Sequence, residues 1–201
     1  MNSWDIENSM LASTIEQKRL VRRTLSLFIL LIMLLPFSVF GQTAKPDSAQ
    51  TILTTALTEA RSAHKNVFLV FHATWCGWCK RLETAIDDTA LKVFIDENYI
   101  VVKIDVKERG DKIQSYENPG GQDILSDFGG KNSGLPFLVF LNGNGRMIAN
   151  SNVMPQKQNI GYPGSQKEIT AFLRLLKKTA AHMTNIQRDR IRSYFVQHAP
   201  Q

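Results

Sequence analysis

Val67-Phe68-Leu69-Val70-Phe71-His72-Ala73-Thr74-Trp75-Cys76-Gly77-Trp78-Cys79-Lys80 holds the only two cysteines of a 201-residue chain. Five consecutive apolar residues, Val67 to Phe71, read as a central strand covered by helices on both faces. The Cys pair follows directly, at the junction between that strand and a helix predicted from about Cys76 to Ile86. A sulfur at a helix N-terminus meets unpaired backbone N–H groups and the positive end of the helix dipole, both of which favour the thiolate. The second sulfur lies one turn further in, within reach of a mixed disulfide on the first. Thiol–disulfide exchange needs this arrangement.

Outward from this stretch, the composition sets bounds. A 43% hydrophobic content supports an ordinary core, and two cysteines three positions apart rule out a framework of structural bridges. A bridge closing so short a loop restricts the unfolded chain little, so its value is chemical. The formal charge of +6 is modest, and no basic run is interleaved with aromatics, so nucleic acid is not an expected partner. Residues 1–41 read as an export segment. Lys18, Arg19, Arg22 and Arg23 precede an apolar run from Thr24 to Leu35, then Pro36 and small residues up to Gly41. A cleavable signal peptide is the first reading and an uncleaved N-terminal membrane anchor the second, because Thr24 to Phe40 reaches the lower limit for a bilayer span. Either way the Cys pair is expected outside the cytoplasm, in a compartment such as the bacterial periplasm. Membrane contact is expected only through this segment.

Residues 42–46 form a polar linker. Asp47 is expected to cap a helix to about His64, with Ile52, Leu53, Ala56, Leu57 and Ala60 at helical spacing. After the Cys helix, Asp87-Asp88-Thr89 interrupts, and a second helical piece carries Leu91, Val93, Phe94 and Ile95. Ile100 to Val106 reads as a strand, 107–120 as a polar surface loop and Gln122–Phe128 as a short helix. Phe137 to Leu141 and Arg146 to Asn150 flank the hairpin signal Asn142-Gly143-Asn144-Gly145. A loop over 151–164 leads to the capping box Ser165-Gln166-Lys167-Glu168, and Thr184 with Gln187 marks a second cap. The order is an α/β one, with a central mixed sheet flanked by helices.

This order, the Cys pair after the first long strand and Gly134-Leu135-Pro136 before the third resemble the thioredoxin-like superfamily. The run Trp75 to Glu83 is similar to an extracytoplasmic branch with a Cys-x-x-Cys-Lys-x-x-Glu pattern. The resemblance covers residues 47–183, leaving 184–201 as a C-terminal helical extension. It implies a thioredoxin-like fold and thiol–disulfide oxidoreductase activity, with Cys76 as the attacking thiolate and Cys79 as the buried resolving thiol. Cys76 itself is expected to be exposed. Pro136 is implied to be cis, with Leu135 offering its backbone to an extended substrate. Trp75, Gly77 and Trp78 are implied to border the peptide-binding surface. Protein disulfides are the implied substrates, and a membrane or soluble thiol electron partner is implied, with no cofactor beyond the Cys76–Cys79 pair.

Two positions depart from the family pattern, one of them Trp78, where many relatives have proline. Many thioredoxins carry a buried aspartate six residues before the first cysteine, where this chain has Val70. Glu83 is a candidate replacement for proton transfer, with a plain surface role as its alternative. Lys80 is a candidate for tuning the thiolate, or simply a solvated helical lysine. For the Cys pair, the alternatives are an inert disulfide and a zinc half-site. Zinc would need further ligands from His64, His72, His182 or His198, and no metal is expected. The competing functional class is a thioredoxin-like module that grips peptides or a partner without turnover.

Overall fold

The structure is a computed structural model that describes residues 45–200. The export segment over 1–41 and the start of the linker lie outside the described residues.

Ala49–Ala63 forms α1, and its cap is Ser48, whose Oγ accepts the Thr51 N–H at 3.1 Å. Asp47, the expected cap, sits one residue too early. Strand β1 (Asn66–His72) is followed by α2 (Gly77–Asp87), α3 (Thr89–Asn98) and β2 (Tyr99–Asp105). The expected break between the two helices occurs at Asp88, whose carboxylate accepts the Ala90 N–H at 2.8 Å and so starts α3. Two short helices follow, α4 (Lys112–Tyr116) and α5 (Gly121–Asp127), then the hairpin strands β3 (Phe137–Leu141) and β4 (Met147–Asn150). The first short helix lies inside 107–120, read above as a loop. Its five residues bury nothing, so no apolar period announces it. Last come α6 (Gln166–Thr179) and α7 (Asn185–Gln197), each opened by the expected capping box.

The four strands lie in the order β2-β1-β3-β4. β1 pairs parallel with β2 and antiparallel with β3, and β3 pairs antiparallel with β4. This is the mixed α/β arrangement of the thioredoxin fold. The central strand β1 has helices on both sides, and Val67 to Phe71 are all fully buried. Side chains alternate across the sheet. Phe68 and Val70 enter a core with Leu82, Phe94, Tyr99, Phe140, Phe172, Ile191 and Phe195. Val67, Leu69 and Phe71 enter another with Ala56, Ala60, Ile104, Leu125 and Val139. Each such buried side chain contributes about 1.5–3 kcal/mol, which fixes the register and hence where β1 ends. The last helix joins the first core through Phe195, 5.3 Å from Phe172 between ring centroids.

Candidate functional site

The chain leaves β1 at His72 and turns, with the Ala73 carbonyl accepting the Cys76 N–H at 3.0 Å. Cys76 has extended backbone and is the N-cap of α2. Its Sγ accepts the Cys79 N–H at 3.1 Å and is joined to Cys79 in a disulfide. The sulfur therefore takes the place a serine or aspartate oxygen holds in an ordinary cap. In the reduced state, the same N–H and the helix dipole favour a charged sulfur there.

Cys76 is only 3% exposed and Cys79 fully buried. The expectation of an exposed first cysteine is thus corrected for this disulfide form. Ala73 forms one small buried cluster with the two cysteines, and Leu135 packs against it. The surroundings are open. Nothing lies within 4 Å of where a side chain at Gly77 would begin, and Trp75 and Trp78 are 42% and 47% exposed.

Across from the pair, the Leu135–Pro136 bond is cis and Phe137 is a core residue of β3. Asn159, which the sequence reading did not single out, holds this loop. Its Nδ2 donates to the Gly134 carbonyl at 2.8 Å and to the Pro136 carbonyl at 2.9 Å. The carbonyls on both sides of Leu135 are therefore engaged, while Leu135 itself makes no backbone hydrogen bond among the described residues.

The tryptophans are held differently. The Trp75 indole N–H donates to the Lys107 carbonyl at 2.8 Å, and the Arg109 guanidinium lies 3.9 Å from its ring centroid. Trp78 stacks on Tyr162 at 5.9 Å, with Arg81 at 5.1 Å from the indole. Burial raises the Tyr162 phenol pKa, an effect that Arg81 partly opposes. A groove of about 840 Å³ runs from Trp78 and Leu135 along Asn159 and Tyr162 to Glu168. Tyr162 and Asn159 lie in the irregular 151–164 segment, where a lone aromatic among glycines and asparagines was the available signal.

Lys80 and Glu83 point to other neighbours. Lys80 is exposed and borders a shallow pocket with Arg81, Tyr162 and Tyr194. Glu83 pairs with His72 Nδ1 at 3.0 Å and Lys103 Nζ at 3.4 Å, and His72 Nε2 faces Asp105 Oδ1 at 3.4 Å. Its carboxylate is thus part of a charge cluster at the ends of β1 and β2. Val70 is fully buried among apolar side chains. Among the described residues, no group of three or more His, Cys, Asp or Glu side chains is placed to hold a metal ion, and no helix is long and apolar enough to cross a membrane.

A family model described as "Thioredox_DsbH: Protein of unknown function, DUF255" matches residues 42–194. A protein disulfide-isomerase of Hordeum vulgare is 29% identical over 118 residues, which is 58% of this chain and 18% of that protein. Protein disulfide-isomerase 1 of Caenorhabditis elegans is 33% identical over 85 residues, 39% of this chain and 18% of that protein. The match thus spans less than a fifth of the length of these curated relatives. Among solved structures, a disulphide isomerase from Xylella fastidiosa Temecula1 has 21% identity and a TM-score of 0.45, covering 82% of this chain and 96% of its own. A structure titled DsbH Oxidoreductase has 20% identity and a TM-score of 0.43, covering 71% and 92%.

Proposed function

The chain belongs to the thioredoxin-like DsbH family, and from that premise we propose that it is a thiol–disulfide oxidoreductase acting on extracytoplasmic protein disulfides. One observation carries the reading: a Cys76–Cys79 disulfide caps α2 beside a Leu135 whose backbone is free to receive a partner strand. In the reducing direction, the Cys76 thiolate attacks one sulfur of a substrate disulfide. That S–S bond breaks, one substrate thiolate leaves and takes up a proton, and a mixed disulfide forms. Cys79 then loses its proton and attacks Cys76 Sγ, expelling the second substrate thiolate. Two electrons have passed to the substrate, and the pair stands as the disulfide seen in the structure. A dithiol electron partner restores it. In the oxidising direction the same steps run backwards.

Cys76 is the nucleophile and Cys79 the resolving thiol in this reading. Trp75, Gly77, Trp78, Leu135 and Pro136 form the surface that receives the substrate, and the dithiol pair is the only redox group. Glu83 is held by His72 and Lys103 and acts on the pair at a distance, and Lys80 is a solvated helical lysine one residue after Cys79. Export through residues 1–41 supplies the compartment. The reading is tested by mixing the reduced full chain with a disulfide-bonded peptide and following both by mass. Loss of the peptide disulfide with formation of Cys76–Cys79 supports exchange. Peptide binding with every disulfide unchanged would assign the chain to the binding modules instead. Equilibration against glutathione then gives the direction.

A further inference from the structure

The segment after β2 has no apolar period, yet it touches both sides of the site. Lys107 is a non-glycine residue in the left-handed region, with φ of 57°. In a continuing strand, successive side chains would point to opposite faces. The left-handed turn breaks that alternation, and three successive residues reach the Cys76 loop. The Lys107 carbonyl accepts the Trp75 indole N–H, and its Nζ donates to the Ser133 carbonyl at 2.8 Å and the Lys131 carbonyl at 3.4 Å. Glu108 is 6% exposed, and its carboxylate accepts both the Thr74 backbone N–H and the Thr74 hydroxyl, the latter at 2.8 Å. Arg109 covers the Trp75 ring. The Glu108 N–H is itself fixed by Glu117 Oε2 at 2.9 Å.

We infer that Lys107, Glu108 and Arg109 form a positioning clamp that holds the Cys76 loop at a set distance from the Leu135–Pro136 loop. A buried carboxylate with no cation paired to it among the described residues is an expensive way to fill space. Here it binds the two donors of Thr74, two residues before the reactive sulfur. Lys107 is the bridge, since one residue engages Trp75 on one loop and Ser133 on the other. Glu108 sets the aim of Cys76, and Lys107 sets the width of the gap that a substrate strand enters. The clamp rests on the exchange reading above for its catalytic consequence, and on geometry alone for its existence.

The test uses the full chain, reduced, with a disulfide-bonded peptide as probe. Glu108→Ala is expected to lower kcat about tenfold with KM within about twofold, because misaim affects the attack and not binding. Glu108→Gln keeps an acceptor for Thr74 and is expected to recover kcat to within about threefold of the parent. Lys107→Gly keeps the left-handed backbone and the carbonyl but loses the ammonium bridge, and is expected to raise KM about fivefold with kcat little changed. A merely structural role would lower the melting temperature without this split. Unaltered kcat and KM in folded Glu108→Ala and Lys107→Gly would overturn the clamp. If Glu108→Ala fails to fold, Lys107→Gly decides the same question, and parental kcat and KM in that variant overturn it. If the parent does not exchange disulfides, the reading under Proposed function fails. The clamp is then read from iodoacetamide alkylation of Cys76, where a change of about fivefold in a variant supports it and parental rates overturn it.

Discussion

Cys76 stands between two walls made by different forces. On one side, Ala73, Cys79 and Leu135 form an apolar wall, and the same helix α2 carries Leu82 into the aromatic core. On the other, Thr74 and Trp75 are held by a carboxylate, a carbonyl and a guanidinium from the segment after β2. The apolar wall has no preferred direction and gives stability in proportion to buried area. The polar wall gives less stability and much more orientation, because each hydrogen bond fixes a donor against an acceptor. A sulfur that must attack along one line needs both.

Substitutions separate the two walls. Leu82 is fully buried on α2, one turn after Cys79, and Leu82→Ala is expected to cost about 2–5 kcal/mol. Chemical denaturation measures this, while alkylation of Cys76 in the folded chain should change little. Glu108→Ala is expected to cost about 1–3 kcal/mol, from the Thr74 N–H left unpaired, and here the larger change is in kcat. A reversal of these two patterns would break the contrast between walls. Tyr99 tests the apolar side by pH. Burial pushes its phenol pKa upward, above the ordinary 10.0, with the Thr179 hydroxyl at 2.8 Å partly opposing. The folded state thus keeps the proton longer than the unfolded chain does. The resulting stability is full below about pH 10 and is lost as pH rises through the higher folded value. Tyr99→Phe is expected to lose about 1 kcal/mol at neutral pH and to flatten the alkaline limb of a denaturation series. The smallest effect is expected from Trp78→Ala, half-exposed on Tyr162. Stability should move by about 0.5 kcal/mol or less, with a rise in peptide KM as the readout.

The apolar wall was legible in the sequence and the polar one was not. Val67 to Phe71 announces a two-faced central strand, and Ser165 with Glu168 announces a capped helix, because burial and capping leave periods and fixed spacings. The Cys-x-x-Cys motif and Pro136 were legible by resemblance. Lys107, Glu108 and Asn159 work through contacts to carbonyls and N–H groups 23 to 34 residues away. No local spacing records such a contact. The shift of the first cap from Asp47 to Ser48 has a milder cause, since adjacent acceptors compete for the same N–H groups and one residue decides. The low exposure of Cys76 goes with a cluster that includes Leu135, a packing partner distant in sequence.

The central claim is that Cys76 attacks disulfides and Cys79 resolves the product. Replacing Cys79 with Ser removes the resolving thiol and stops the reaction at its intermediate. The decisive measurement is mass spectrometry of this variant after expression in its native compartment, with Cys76→Ser as the control. The expected result is a set of proteins linked to Cys76, released by dithiothreitol and absent from the control. An adduct-free Cys79→Ser chain, with Cys76 unreactive to iodoacetamide near neutral pH, would contradict it.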